Sequence, residues 1–489
     1  MVERAFWLPL RRLALAAVVV SGAIIVAWPF QQVSSQEVAK PDAEKAAQPA
    51  AQPKPMADTE KRPQSDELSS AATWLQAQDM SGSSPQSEQA VDLALAWLAE
   101  HQLANGGWSF DHRLGACRGR CSNPGRVAAG AVNGATGLGL LPFIDHGNTH
   151  QTGAYRQNVA AGLQFLMARM AKDGSVWELG GTMYSHALGL WAMCEDLRIE
   201  KETPGLGAES TSASSAATEK KAARPAASRA AATANAKTGR PTAQQLKEQK
   251  ERKQRELLDR RVAAAATTAL AYALACQDSR GGGWRYLPGS PDSDITVTGW
   301  HVLALHSATA INLPIPARTS LGVTSHLNSL QGNYGAAYGY RHSAIEATPL
   351  RSSVGLLCRD YTGWNRQQLQ RGVEILATLG PSEFDMYYNF YATLLLHDYG
   401  GPLWDNWNRK LRDYLIRTQS RLGHETGSWS FRPLKSNLMG GRHFDTCLAC
   451  LLLESSYSSK PAYASTQPAK VKLAKPAPDK AGDGPAKPE

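Results

Sequence analysis

The feature of the sequence that most limits its fold is a motif that recurs six times between residues 86 and 458. Each copy has the apolar end of a helical segment, usually a Gln four positions later, then Gly and an aromatic residue. The clearest copy contains Leu98, Gln102, Gly106 and Trp108. The other copies end at Trp177, Trp284, Tyr338, Phe384 and Trp429. Recurrence at intervals of tens of residues predicts that one helical unit is repeated along the chain.

Each residue type in this connection motif has a physical role at the end of a helix. A glutamine amide can hydrogen bond to backbone groups that a helix end leaves unpaired, and an aromatic ring can pack over that amide. Glycine adopts the positive φ that a helix C-terminus needs. The motif therefore predicts a compact connection between one helix and the next.

The segments between the motifs form six pairs whose members differ in polarity. The first member has a mixed polar face and covers 86–101, 152–171, 255–277, 317–330, 365–379 and 403–420. The second is apolar on all sides and covers 127–144, 181–198, 294–310, 346–358, 383–399 and 441–456. Because a helix that is apolar all round is expected to be buried all round, we predict an all-α fold, a single α6/α6 toroid. Its inner ring is the apolar set, and no strand-like alternation competes in these segments.

The motif Leu98-x3-Gln102-x3-Gly106-x-Trp108 resembles the QW repeat of squalene and oxidosqualene cyclases. The six-pair arrangement also looks like the toroid of protein prenyltransferase β-subunits. The resemblance implies a terpenoid-cyclase-like toroid over residues 86–458, with a low-complexity, charged insertion at 203–253. Squalene cyclases carry two α-domains and this chain supports one, so a full-length cyclase is not expected.

The resemblance directs attention to two carboxylates, Asp292 and Asp294, as candidate catalytic residues. Squalene-hopene cyclases start their reaction with a protonated Asp in a DxDD motif, and the corresponding stretch here is Asp292-Ser293-Asp294-Ile295. Asp294 holds the position of the family's proton donor, whereas Ile295 replaces the last carboxylate. Asp before an apolar helix is also a standard N-cap, so the sequence leaves both acid and cap open for Asp294.

The prenyltransferase zinc site is not reproduced by the sequence. That family binds zinc through an Asp-x-Cys pair and a later His, and here Thr296 and Asp445 stand where the Cys and the His are expected. Losing a thiolate and an imidazole removes ligands that zinc prefers. We therefore predict neither a zinc-dependent prenyltransferase nor any cofactor or metal.

Further polar residues lie at the predicted starts of inner helices and are candidates for ligand binding. They are Tyr184, His186, Asp385, Tyr388, His443 and Asp445. Carboxylates at helix N-termini are stabilised by the helix dipole, which would explain them without a ligand. Alternatively, they form the polar rim of a ligand pocket, or of a sugar site in which paired carboxylates hydrolyse a glycosidic bond.

The cysteines give a weaker signal. Cys117 and Cys121 lie in the loop ACRGRCSNPG and could form a local disulfide in an exported domain. A metal there would need two further ligands, and none is evident in the neighbouring sequence. Cys447 and Cys450 lie in an apolar helix and are expected to be buried thiols.

The N-terminus predicts export. Arg11 and Arg12 precede the apolar run Leu13–Trp28, so residues 1–30 are expected to be a membrane anchor or a cleaved signal peptide. Either would place the folded part outside the cytoplasm. Residues 31–85 and 459–489 are predicted to be a disordered linker and a disordered basic tail.

The formal net charge of +9 does not indicate a nucleic-acid-binding surface. Segment 201–261 holds 14 Lys and Arg against 7 Asp and Glu, and segment 460–489 holds 6 Lys against 3 acidic residues. These two segments account for the whole surplus, so the remainder of the chain is close to neutral. Nucleic acid is therefore not expected as a partner.

Three functions remain compatible with these observations. The main one is binding of an isoprenoid or other apolar ligand in the toroid cavity, with acid-initiated isomerase or cyclase chemistry through Asp294. The alternatives are a non-catalytic envelope scaffold and a polysaccharide-acting enzyme that uses rim carboxylates. An apolar cavity favours the first, a side-chain-filled centre the second, and an acidic groove with exposed aromatic residues the third.

Overall fold

The computed structural model describes residues 84–126, 131–202, 242–342, 346–431 and 435–455, and twelve α-helices lie within them. In chain order they are α1 (Pro85–Glu100), α2 (Val132–Asp145), α3 (Arg156–Arg169), α4 (Thr182–Glu202), α5 (Ala243–Ala275), α6 (Ile295–Ala310), α7 (Ala317–Leu330), α8 (Pro349–Tyr361), α9 (Arg366–Leu379), α10 (Met386–Tyr399), α11 (Pro402–Thr418) and α12 (Lys435–Glu454). Two short strands, β1 (Gln331–Gly332) and β2 (Ala337–Tyr338), pair antiparallel in the connection after α7.

The even-numbered helices form a closed inner ring. Each packs against the next inner helix, and α12 packs back against α2. All residues of α10 from Met386 to Leu396 are buried, whereas α11 buries a stripe at Trp407, Leu411 and Leu415. These burial patterns are those of a central and a peripheral helix, respectively. The predicted all-α, α6/α6 toroid is confirmed.

Glutamines of three connection motifs join consecutive outer helices by hydrogen bonds. Each amide donates to a glycine carbonyl of its own connection and to a carbonyl of the next outer helix. The pairs are Gln102 with Gly106 and Asn158, Gln277 with Gly282 and Thr319, and Gln419 with Gly427 and Ala90, at 2.7–3.0 Å. Because Ala90 lies in α1, the bond from Gln419 joins the last outer helix to the first.

The tryptophans of the same motifs tie each connection to the two helices it joins. Their indole N–H groups donate to carbonyls of the preceding outer helix, Trp108 to Leu98, Trp284 to Ala273 and Trp429 to Leu415, each at 2.8 Å. Their backbone N–H groups donate to threonine hydroxyls of the following inner helix, at Thr136, Thr298 and Thr446. All three rings are buried, so the motif satisfies polar groups within the core.

Glycine is required where the connection meets the neighbouring outer helix. Gly427 has a φ of 89°, and a Cβ atom there would lie 2.1 Å from the carbonyl oxygen of Leu93 in α1. Gly106, Gly174 and Gly282 show the same combination of positive φ and close backbone approach. The motif glycines therefore permit contact between helices as well as a turn.

The fourth connection replaces the glutamine bridge with an arginine. Gln331 is exposed, and its side-chain oxygen accepts a hydrogen bond from Arg359 at 2.9 Å. Arg359 is buried, donates to Asn328 at 2.6 Å and to the Tyr338 hydroxyl at 3.1 Å, and lies over the ring of Trp364. The aromatic residue of this copy is thus held by a cation in place of an amide.

Several predicted segments fall outside the described residues: 1–30, 31–83, 203–241 and 456–489. Helix α5 nevertheless begins inside the predicted insertion 203–253, because Thr242 and Gln245 form a capping box at its start. In the part of the chain that the structure describes, no helix is long and apolar enough to cross a bilayer. The membrane anchor or signal peptide was predicted for residues 1–30, which lie outside the described residues.

The closing bond of the ring can be tested by substituting Gln419. Gln419→Ala removes both amide hydrogen bonds at a buried position, and we expect the free energy of unfolding to fall by about 2 kcal/mol. Gln370→Ala in α9 is the control, since this exposed Gln bonds to Glu374 within its own helix. It should cost less than about 1 kcal/mol. Equal losses for the two variants in urea unfolding would show that the bridge adds nothing.

Candidate functional site

Asp294 caps the N-terminus of α6 with one carboxylate oxygen and leaves the other unpartnered. Its Oδ1 accepts hydrogen bonds from the backbone N–H groups of Thr296 at 3.0 Å and Val297 at 2.9 Å. It also accepts from the Thr296 hydroxyl at 2.7 Å. Oδ2 is buried without a hydrogen-bond partner among the described residues. Burial raises the pKa of Asp294, against the lowering effect of the capping bonds.

Four tyrosines lie near Asp294, and we call Tyr184, Tyr286, Tyr340 and Tyr387 the tyrosine cluster. The Tyr184 hydroxyl is 2.7 Å from that of Thr296, and the Tyr387 hydroxyl donates to the Thr296 carbonyl at 3.2 Å. The hydroxyls of Tyr286 and Tyr340 are 2.5 Å apart. Burial, with the Asp294 charge as a further cause, raises the pKa of all four phenols, that of Tyr286 to about 12. The phenols therefore stay neutral and can act as hydrogen-bond donors.

Asp292 has a different environment from Asp294, although only one residue separates them. It forms ion pairs with Arg285 and, at 2.6 Å, with Arg341, and its side chain is 46% exposed. Asp292 is thus a partly exposed carboxylate paired with two guanidinium groups, whereas Asp294 is fully buried. The two predicted carboxylates are neighbours in one loop but have different surroundings.

Aromatic side chains fill the centre of the inner ring. Trp300 of α6 stacks on Tyr387 at 5.6 Å and on Phe390 at 5.4 Å between ring centroids, and it packs against Trp191 at 5.8 Å. None of these rings is more than 8% exposed. Rings that contact one another in this way occupy the volume that an apolar ligand would need. At the level of these rings the centre of the toroid is a packed core, which argues against the predicted isoprenoid chamber.

The predicted site residues His186 and His443 hydrogen bond to the backbone of other segments. His186 accepts at Nδ1 from the Val176 N–H at 3.3 Å and donates from Nε2 to the Ala269 carbonyl at 3.1 Å. His443 donates from Nε2 to the Ala135 carbonyl at 2.9 Å and thereby joins α12 to α2. Burial lowers the pKa of both imidazoles to about 4. Both rings are neutral and link helices within the toroid.

The predicted residues Asp385, Tyr388 and Asp445 also bond to nearby backbone. Asp385 caps α10 by accepting from the Tyr388 N–H at 3.0 Å, and the Tyr388 hydroxyl donates to the Gly380 carbonyl at 3.1 Å. Asp445 accepts from the Phe431 N–H at 3.0 Å and is buried. Of the six predicted ligand-binding residues, the structure thus places Tyr184 beside Asp294 and gives each of the other five a hydrogen bond within the fold.

A polar groove of about 550 Å³ lies on the outer surface, away from the ring centre. It is formed by α3, α5 and the loop before α3, and its lining includes His150, Arg156, Gln164, Glu251, Arg255 and Arg261. His150 is buried there and contacts Asp196 at 2.5 Å. The charged first half of α5 therefore forms one wall of this groove.

Four potential metal ligands that the sequence did not connect come together at the junction of the first and last units. They are His101, Cys117, Cys121 and His424, and their ligand atoms all lie within 4.8 Å of one another. His101 follows α1, and His424 lies in the connection after α11. No local spacing rule could join His424 to Cys121, because 303 positions separate them in the chain.

No family model matches this chain, and no curated protein matches it. Two solved structures are similar to it in overall helical arrangement. One is an inactive variant of an α-1,6-mannanase, GH76A of Salegentibacter sp. HEL1_6, in complex with α-1,6-mannotriose, with 9% identity and a TM-score of 0.44 over 74% of this chain and 98% of that chain. The other is an α-amylase from Clostridium perfringens, with 9% identity and a TM-score of 0.42 over 76% of this chain and 97% of that chain.

These findings correct the family prediction. The assignment to squalene cyclases and prenyltransferase β-subunits was wrong, since no family model matches this chain. The apolar or isoprenoid ligand predicted with that family is withdrawn as well. The connection motif itself is real, and its residues make the bonds described above.

The buried carboxyl of Asp445 should make stability fall with rising pH. Burial raises its pKa to about 8 from 3.8, so the folded state binds more protons than the unfolded state between these two values. The free energy of unfolding therefore decreases as pH rises from about 4 to 8. Asp445→Asn keeps an oxygen that can accept from the Phe431 N–H and should make this decline shallower by up to about 1.4 kcal/mol per pH unit.

Urea unfolding at several pH values between these limits measures the slope directly. Asp405→Asn, on the exposed side of α11, is the control and should leave the slope of the wild type unchanged. Parallel stability curves for the wild type and Asp445→Asn would mean that Asp445 titrates normally in the folded protein.

Proposed function

We propose that the protein hydrolyses a polysaccharide at the tyrosine cluster, with Asp294 as the proton donor and Asp292 as the charged carboxylate. The observation that carries this proposal is the contrast between the two carboxylates. Hydrolysis of a glycosidic bond needs one carboxyl group that holds a proton at the working pH and one that is ionised. Burial of Asp294 and the arginine pairing of Asp292 supply this difference within one loop.

The tyrosine cluster supports a sugar as the ligand. Tyr184, Tyr286 and Tyr340 are each partly exposed, so they offer both an apolar ring face and a hydroxyl to a ligand. A pyranose presents C–H groups on its faces and hydroxyls at its edges, and such a ring matches an amphipathic aromatic side chain. Arg285 and Arg341 add hydrogen-bond donors beside the tyrosines.

In this proposal Asp294 acts once a sugar displaces the tyrosine hydroxyls that cover it. Oδ1 stays bonded to the start of α6 and fixes the carboxyl group, while the proton on the unpartnered Oδ2 passes to the glycosidic oxygen. The bond from the anomeric carbon to that oxygen breaks, a water oxygen bonds to the anomeric carbon, and the Asp292 carboxylate accepts the proton that this water loses. The capping role and the acid role are therefore carried by different oxygens of one side chain.

A second candidate function, a non-catalytic scaffold, is favoured by the packed centre of the ring. Trp191, Trp300 and Phe390 leave the core closed at their level, as expected of a toroid that only presents its surface to other molecules. The scaffold needs no protonated carboxyl group, so the two candidates differ in what Asp294 is expected to do.

The deciding experiment measures the release of reducing sugar by the full chain from a panel of polysaccharides that includes α-1,6-mannan and starch. Asp294→Asn keeps an Oδ1 acceptor for the cap and removes the acid, and we expect hydrolysis to fall by about 10²-fold or more. Asp292→Asn should lower the rate as well. The rate of the wild type should fall as pH rises through the raised pKa of Asp294.

Asp405→Asn serves as the control for a carboxylate outside the site and should keep the rate of the wild type. Thermal unfolding of Asp294→Asn should match the wild type within a few degrees, since Asn is a good N-cap. A wild-type rate of hydrolysis by Asp294→Asn would show that Asp294 is not the acid. No hydrolysis and no binding across the panel would favour the scaffold.

A further inference from the structure

Four side chains from three separate segments converge where the toroid closes. His101 stands at the end of α1, Cys117 and Cys121 lie in the loop that follows the first connection motif, and His424 lies in a short turn after α11. The Cys121 sulfur is 3.1 Å from His424 Nδ1 and 3.5 Å from His101 Nε2. His101, Cys117 and Cys121 are buried, and His424 is partly exposed.

The spacing of these atoms suits a tetrahedral metal ion. Zinc binds sulfur at about 2.3 Å and imidazole nitrogen at about 2.0–2.1 Å, so its ligands lie about 3.4–3.8 Å from one another. The four atoms here all lie within 4.8 Å of one another, and two of the separations are the 3.1 and 3.5 Å given above. Small rotations of the side chains would bring all four to bonding distance of a single ion.

Hydrogen bonds around the cluster hold its ligands in metal-binding orientations. The His101 Nδ1–H donates to the Trp97 carbonyl at 2.7 Å, which leaves the lone pair on Nε2, the atom that faces Cys121. The same ring stacks on Trp97 at 3.8 Å between centroids. The Cys121 N–H donates to the Cys117 sulfur at 3.3 Å, the type of bond that stabilises a thiolate. Such outer contacts are what orients the ligands of metal sites.

The backbone between the two cysteines is folded to bring their side chains together. Arg118 and Gly119 both have positive φ, 49° and 79° respectively, so the chain turns tightly between the sulfurs. A positive φ is sterically unfavourable for Arg118, which has a Cβ atom, but not for Gly119. Both cysteines are free thiols in the structure.

We propose that His101, Cys117, Cys121 and His424 bind one zinc ion, which fastens the first unit of the toroid to the last. A Cys2His2 set has the softness and the number of ligands of a closed structural zinc site. Two thiolates balance the charge of Zn²⁺, so the filled site is neutral and suits a buried position. Each thiol loses its proton on binding, and zinc displaces the hydrogen bond that Cys121 makes to the His424 carbonyl.

The charged side chains beside the cluster form an ion pair with each other and do not need the metal as a partner. Arg442 of α12 pairs with Glu425 at 2.8 Å and donates to the carbonyl and hydroxyl of Ser122. Glu425 accepts from the Ser122 N–H at 2.6 Å. These bonds join the loop after the first motif to the last unit independently of the cysteines. The zinc would reinforce the junction between the first and last units, whose residues Cys121 and His424 are 303 positions apart and where closing the ring costs the most conformational entropy.

The test is metal analysis of the full chain, expressed without an affinity tag and purified under reducing conditions. We expect one zinc per chain, and we expect Co²⁺ to replace it with the absorption bands of a tetrahedral thiolate site. A strong chelator should lower the thermal midpoint of the wild type. Cys121→Ser should abolish stoichiometric zinc, and the control Cys276→Ser, at a buried cysteine outside the cluster, should keep it.

His424→Gln provides a second test that leaves the core untouched, because this side chain is partly exposed. It should bind Co²⁺ with altered bands or at least tenfold more weakly, while its fold, judged by circular dichroism, matches that of the wild type. The proposal is overturned if the reduced wild type neither contains nor takes up zinc. It is equally overturned if intact-mass analysis shows a Cys117–Cys121 disulfide in the folded protein under reducing conditions.

Discussion

The structure depends on a glutamine amide that spans the gap between two neighbouring outer helices. An outer helix touches its inner partner over one stripe only, so packing alone leaves its position along the ring weakly fixed. The amides of Gln102, Gln277 and Gln419 fix it, because each reaches a backbone carbonyl of the next outer helix while its other bond holds its own connection. Directional bonds at repeated positions thus set the spacing of units around the ring.

This arrangement determines where chemistry can occur. The alternation of outer and inner helices places the N-termini of the inner helices at one end of the ring, and the helix dipoles favour carboxylates there. The aromatic core below is closed by Trp191, Trp300 and Phe390. The proposed function therefore places the sugar at the end that carries Asp292 and Asp294. The different surroundings of the two Asp294 oxygens follow from its position at the start of α6. Oδ1 accepts the backbone N–H bonds of the helix start, and Oδ2 has no hydrogen-bond partner among the described residues.

The fold could be predicted from the sequence because its determinants are local and repeated. The helix pairs and the motif residues occupy fixed spacings, and their roles follow from capping and packing. The family could not be predicted in this way. A connection of Gln, Gly and Trp stabilises stacked helix pairs in any protein built from them, whatever reaction that protein catalyses. The surroundings of the predicted site residues could not be predicted either, because they are set by contacts between different units. His186 and His443 bond to carbonyls of other helices at Ala269 and Ala135, and no spacing in the sequence contains those contacts.

The junction between the first and last units differs physically from the other five. Neighbouring units elsewhere are joined by the chain itself, whereas units one and six meet only after the whole ring has formed. Two features concentrate there: the bond from Gln419 to Ala90, and the cluster that contains Cys121 and His424. A linear array of repeats needs polar capping units at its ends, while a closed ring replaces them with one non-local interface. Strong directional contacts at that interface are what allow six similar units to form a ring instead of an open arc.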